Sequence, residues 1–152
     1  MPIRSRSFAS ALFALVSGHA LACSTLGPPP TDEEQFNKAS AVFVGHVTKT
    51  EEVSLSFNGM PTKVPAVEGT VRVVEVLKGE PPADGKVQDL VFGPGNCSLG
   101  LFAGLDYLFF LHGDKWVLWP GGSKTFININ GTEPRQLLEK LRKSSPASGN
   151  QP

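Results

Sequence analysis

Only two cysteines occur in the 152 residues, Cys23 and Cys97, and no other feature constrains this chain as much. Met1 to Ala22 reads as a secretory signal peptide. Arg4 and Arg6 give the positive start, Phe8 to Val16 the short apolar core, and Ala20-Leu21-Ala22 a small-x-small cleavage site. Cleavage after Ala22 would make Cys23 the first residue of the mature chain. In an oxidising compartment two cysteines permit one disulfide, so Cys97 is the only intramolecular partner open to Cys23. That bridge would close a loop of 74 residue steps, worth about 4 kcal/mol in the chain-entropy account. A second reading of the start stays open: a lipoprotein cysteine, acylated on its sulfur and amine. Ala20 stands where such signals usually carry leucine, and acylation would leave Cys97 an unpaired thiol in an oxidising compartment.

Removing the signal leaves 130 residues, enough for one domain with a real core. Loss of Arg4 and Arg6 from 14 basic residues leaves 12 against 14 acids, a balance of −2. Without a basic stripe interleaved with aromatics, nucleic acid is excluded as an expected partner. The signal core is too short to span a bilayer, and no later stretch is long and apolar enough. The expected location is therefore secreted or periplasmic.

The local pattern predicts a mainly β domain from Cys23 to Lys143. Pro28-Pro29-Pro30 keeps the start of the mature chain extended. Thr31 and Glu34 form a capping-box pattern, with Asp32 and Glu33 suiting the positive end of a short helix that turns Phe36 and Ala39 inward. Strands are expected over 41–47, with a bulge or bend at Gly45, then 67–77, 86–92, 105–111 and 115–119. Asn58-Gly59 marks a hairpin, Gly93-Pro94-Gly95 forces a turn ahead of Cys97, and Ser123-Lys124-Thr125 reads as another turn. Thr132-Glu133-Pro134 opens a second helix whose apolar face is Leu137, Leu138 and Leu141. Residues 144–152, rich in Ser, Pro, Gly and Asn, read as a disordered tail. Five bent strands with little helix suggest a five-stranded, OB-like closed barrel.

The order of these parts resembles the tissue inhibitors of metalloproteinases and the wider netrin-like module. Cys23-Ser24 matches the family's opening Cys-Ser or Cys-Thr. Phe36-Asn37-Lys38-Ala39 lies where the inhibitors carry Phe-Cys-Asn-Ala before their first strand. Val71 to Gly79 (VRVVEVLKG) is similar to their second strand with its Tyr-Lys-Gly ending, and Cys97 with Leu101-Phe102 and Tyr107-Leu108 to their Cys-x-x-Phe and the strand after it. The similarity spans about Cys23 to Trp119. Thr25 and Asn37 stand where the family has further cysteines, so two of its three usual disulfides are absent, as is its C-terminal subdomain. What remains looks like a minimal, bacterial-type version of the inhibitory domain.

The resemblance implies a function for the mature terminus. A protease's catalytic zinc keeps one coordination position open. The α-amine and carbonyl of Cys23 would chelate it there, in trans, while the bridge to Cys97 held them fixed. Ser24 would enter the protease's first specificity pocket, with Thr25 beside it, and Gly95, Asn96 and Ser98 would form the adjoining ridge. The protein would need no cofactor of its own. The alternative is a non-inhibitory secreted or periplasmic netrin-like binding module of unknown ligand, lipid-anchored through Cys23 if that residue is acylated. A plain structural disulfide would serve that module equally well.

No enzyme is expected. His46 and His112, the two histidines of the mature chain, have no metal-ligand spacing, and neither a phosphate loop nor a Gly-x-Ser-x-Gly elbow occurs. His46 reads as a polar strand position and His112 as a turn residue. Trp116, Trp119 and Phe126 could form an exposed surface for a sugar or a partner, but their spacing favours core packing. Asn96 and Asn130 head formal glycosylation acceptors, which a bacterial host would leave bare.

Overall fold

The computed structural model describes residues 28–57, 61–93 and 96–145. The expected signal peptide and most of the expected tail lie outside the described residues, as does the Asn58-Gly59 turn. The elements run α1 (Asp32–Lys38), β1 (Ala41–Ser56), β2 (Lys63–Lys78), β3 (Lys86–Leu90), β4 (Asp106–Leu111), a 3-10 turn (Trp119–Gly121), β5 (Lys124–Phe126) and α2 (Thr132–Ser144). The five strands form one antiparallel sheet in the order β3-β2-β1-β4-β5.

β1 lies at the centre of that order, and its first seven residues are apolar on both faces save for His46. Val42 and Val44 pack with Phe36 and Ala39, Leu77, Leu108, Phe110, Phe126, Leu138 and Leu141. Ala41, Phe43 and Val47 pack on the other face with Val71, Val87, Leu101, Tyr107, Phe109 and Val117. The sheet therefore carries one cluster beneath the helices and another within its own curl. Phe109 ties the second together, its ring 5.2 Å from Phe43 and 5.3 Å from Tyr107.

The β1–β2 register shifts between Val44 and Gly45, where the sequence led us to expect a bulge or bend. A Cβ on Gly45 would lie 2.3 Å from Val71 Cγ1, so β2 passes too close for any side chain there. β1 is longer than expected. It continues through the polar stretch to Ser56, opposite Lys63, because β2 starts earlier and pairs along the whole of it.

The expected closed barrel is not observed, because the sheet stays open with β3 and β5 at its edges. One isolated parallel bridge, Gln88 to Trp116, spans part of the gap. Gln88 N–H donates to Lys115 O at 2.7 Å and Val117 N–H to Gln88 O at 2.8 Å. The strand expected over 115–119 does not form, and this bridge at Trp116 is what stands in its place. Trp119 N–H donates instead to Cys97 O, and Pro120 lies inside the 3-10 turn. β5 forms instead at Lys124–Phe126, in the segment read as a turn. Ser123 sets it up: its buried hydroxyl accepts from Phe110 N–H at 3.0 Å, continuing the edge pairing of β4 beyond the last backbone pair.

Both expected helices form. Thr31 Oγ1 accepts from Glu34 N–H and Glu34 Oε2 from Thr31 N–H, so the capping box is complete. Lys78 closes the other end of α1, donating to Phe36 O at 2.8 Å and Asn37 O at 2.9 Å with its ammonium over the Phe36 ring. Gly79, at φ +60°, follows it, and a Cβ there would lie 2.1 Å from Ser40 O. The N-cap of α2 is Gly131 rather than Thr132, with no side-chain cap. Leu138 and Leu141 are buried beneath α2 as expected. Arg142 makes two 2.7 Å bonds to the Glu75 carboxylate, and Ser145 Oγ donates to Leu77 O.

Two stability tests follow from these contacts. Gly79→Ala should cost at least about 2 kcal/mol, because both strain and overlap with backbone oppose it; a denaturant midpoint equal to wild type would disprove the close approach. Arg142→Ala should cost less than about 1 kcal/mol, since the pair is exposed and screened. Arg142 holds the Glu75 carboxyl below its ordinary value. Its contribution is present above the usual carboxylate range and lost as pH falls through the lowered value. Urea titrations of both proteins across the acid range should therefore converge at low pH.

Candidate functional site

Cys23, Ser24, Thr25 and Gly95 lie outside the described residues, so the described part of the candidate site is its two supports. One is the Pro28-Pro29-Pro30 arm, exposed and running into the Thr31 cap. The other is the loop from Asn96 to Phe102. Cys97 is not a free thiol.

The loop is built on a buried carboxylate. β3 alternates, turning Val87 and Asp89 to the inside. Asp89 is fully buried and accepts from Leu90 N–H at 2.9 Å, Ser98 Oγ at 2.9 Å, Leu99 N–H at 3.2 Å and Gly100 N–H at 2.8 Å. Burial pushes its carboxyl above the ordinary value despite the four donors. Buried Tyr107 continues the network: its hydroxyl donates to Gly100 O at 2.9 Å and accepts from Phe102 N–H at 2.8 Å. Every turn from 98 to 102 is thereby held from inside the protein.

Asn96 is exposed, and its side chain serves the loop. Its amide donates to Val91 O at 2.5 Å and its oxygen accepts from Ser98 N–H at 3.2 Å. Ser98 turns its hydroxyl inward to Asp89 rather than outward. The Cys97 carbonyl accepts from Trp119 N–H at 3.0 Å, so the 3-10 turn is fastened to the loop. Between arm and loop lies a groove of about 320 Å³, whose walls include Pro29, Pro30, Leu99, Trp119 and Pro120, with Asp32 and Lys124 paired at 2.8 Å at its side. The arm and the Cys97 loop thus border one cleft.

The aromatic trio divides. Trp116 and Phe126 are buried as expected, but Trp119 is 59 % exposed on this groove, which corrects its expected core position. The physical reason is the absence of the strand: beyond the single bridge at Trp116 the chain enters the 3-10 turn, and the alternation that would bury Trp119 does not apply. His46 Nδ1 lies 2.8 Å from Asp106 Oδ1, and His112 Nε2 2.8 Å from Gly121 O. Among the described residues no group of three or more His, Cys, Asp or Glu could hold a metal ion. No described helix is long and apolar enough to cross a membrane.

Sequence reading missed Asp89, although Lys86-Val87-Gln88-Asp89-Leu90 carries the signal. Period-two alternation puts Asp89 on the same face as Val87, and a carboxylate on a buried face must organise donors around itself. Compared with known proteins, the chain matches no protein-family model and no curated protein.

Asp89→Asn should destabilise the protein by about 2–4 kcal/mol at neutral pH, because an amide NH₂ would face backbone donors. The pH dependence has a definite sign. A raised folded-state pKa gives stability that is fully present below the unfolded value near 3.8 and lost as pH rises through the folded value. The stability gap between wild type and Asp89→Asn should therefore narrow as pH rises out of the acid range. A gap that widened would mean the carboxylate is stabilised, not penalised, by its site.

Proposed function

We propose that this protein is an exported inhibitor of zinc metalloproteases, built on an OB-type barrel for which the Gln88–Trp116 bridge would be the closing contact. The inhibitory group is the mature N-terminus. Cleavage after Ala22 leaves Cys23 first, and a disulfide to Cys97 holds it. The observation that carries this reading is the shared cleft: Pro29 and Pro30 of the arm line it together with Leu99 of the Cys97 loop and Trp119 of the 3-10 turn fastened to that loop. Cys97 is engaged rather than free, and Asp89 stiffens the loop that presents it.

Chelation needs a neutral amine with its lone pair available, beside the carbonyl of the same residue, to close a five-membered ring on the metal. An ordinary α-amine ionises near ~7.7–8.0, so this state is accessible at neutral pH. The target protease supplies the zinc, and displacement of the water at its open position blocks catalysis. A rigid mount reduces the ordering entropy that a loose terminus would lose on binding. Ser24 would then enter the first specificity pocket with Thr25 beside it, and Gly95, Asn96 and Ser98 would form the adjoining ridge, Ser98 through its backbone because its hydroxyl is turned to Asp89.

Adding one alanine before Cys23 should abolish inhibition across a panel of zinc metalloproteases and leave the thermal melt unchanged. Retained potency in that variant would sink the chelation mechanism. Wild-type potency should fall as pH drops below the amine's range, because protonation removes the donor pair. Ser24→Arg should re-rank the proteases inhibited; equal loss or no change across the panel would remove Ser24 from the pocket. Intact mass before and after reduction, with N-terminal mapping, decides the starting state. An acylated Cys23 would leave the binding-module reading, which the exposed aromatic residues Phe92 and Phe102 favour independently of any cysteine chemistry.

A further inference from the structure

Phe92 and Phe102 are 71 % and 56 % exposed, and they belong to one surface. A Cβ built on Gly100 would lie 3.2 Å from Phe102 Cε2 and 3.5 Å from Phe92 Cδ2, so the two rings flank the same glycine. Between them and the β1–β2 arm lies an open groove of about 400 Å³, with Leu101 and Val67 in its lining and Glu51 and Glu52 at its acidic side. Two exposed phenyl rings on one surface cost solubility and gain the isolated chain nothing. The mount of Phe102 is nevertheless fixed from inside: Gly100 is held through its N–H by Asp89 and through its carbonyl by Tyr107, and Phe102 N–H by the Tyr107 hydroxyl, while next to Phe92 the Val91 carbonyl accepts from the Asn96 amide. Apolar anchors held in place beforehand are the usual makings of a binding hot spot, because little ordering entropy remains to be lost.

We propose that this groove docks a segment of a partner protein that seats an apolar side chain between Phe92 and Phe102 and carries lysine or arginine beside it. The charge of the rim selects that occupant. Glu51 is paired with Lys49 at 2.5 Å, whereas Glu52 is exposed and makes no ion pair among the described residues. A basic flank would find a carboxylate ready, and the acidic edge opposes an anionic lipid surface. The docking requires neither a free Cys23 nor a zinc, so it stands or falls apart from the inhibitor reading.

The test is a heteronuclear NMR titration of the full mature protein with two short synthetic peptides, one alternating leucine with lysine and one leucine with glutamate. The lysine peptide should give saturable shifts centred on Glu52, Leu101 and Phe102, and the glutamate peptide none. Phe92→Ser combined with Phe102→Ser should weaken the lysine peptide at least about tenfold, with the remaining spectrum showing that the fold is kept. Glu52→Gln, which touches no packing, should weaken binding and reduce its salt dependence. Absence of saturable shifts, shifts centred elsewhere, or equal binding of both peptides would overturn the proposal. So would binding of the double variant at wild-type strength. Vesicles containing phosphatidylserine, added in place of peptide, should leave the spectrum unchanged; broadening centred on Phe92 and Phe102 would assign the surface to lipid instead.

Discussion

Everything in this fold hangs on the two-sided burial of β1. Its first half has to be apolar on both faces because both are covered, one by the helices and the other by Val87, Leu101 and Val117, and each face seeds a separate cluster. The face with Val42 and Val44 recruits both helices, although α1 and α2 lie at opposite ends of the chain. The face with Phe43 and Val47 draws in Leu101 and Val117, residues of irregular segments that the sheet alone would not hold. Full burial of a side chain of this size contributes about 1.5–3 kcal/mol, so no polar contact at the surface competes with β1 in setting the architecture. His46, where burial first relaxes, is also where a charged partner, Asp106, appears across the strand pair.

The candidate site rests on a different kind of interaction, a buried polar network set at the end of that apolar frame. Asp89 and Tyr107 are fully buried, and between them they fix the loop from Ser98 to Phe102 through five hydrogen bonds to its backbone or hydroxyl. An apolar residue at 89 would pack more cheaply but would take an acceptor from three backbone N–H groups, of which Gly100 alone has a second acceptor among the described residues, Ser98 Oγ. The network thus trades stability for one definite loop conformation. Both faces of that loop meet solvent features of interest: Leu99 borders the cleft shared with the proline arm, and Phe102 borders the acidic groove.

Lys78-Gly79 shows how one dipeptide can serve two elements. The lysine closes the C-terminal end of α1 and lies over Phe36, while the glycine lets the chain leave β2 against Ser40. Neither role is visible from local pattern, in which the pair reads only as the end of a strand. Ser123 is similar. Read as part of a turn, it instead extends the β4 edge by bonding Phe110 and so makes β5 possible.

The sequence alone sufficed for the elements whose physics is local. The Thr31–Glu34 capping box, the apolar run of β1 with its weak point at Gly45, and the leucine face of α2 were all legible, because capping and periodicity act within a few residues. It did not determine which expected strand would fail to form, because that depends on where Trp119 N–H finds a partner, and the partner is Cys97 O, 22 positions away in the chain. Nor did it reveal that Asp89 would be the organiser of the Cys97 loop, or that Trp119 would face the cleft. Those outcomes are decided by donors and acceptors brought together only once β3, the loop and the 3-10 turn have met. A buried carboxylate takes its meaning from that meeting, whereas a helix cap carries its partner with it.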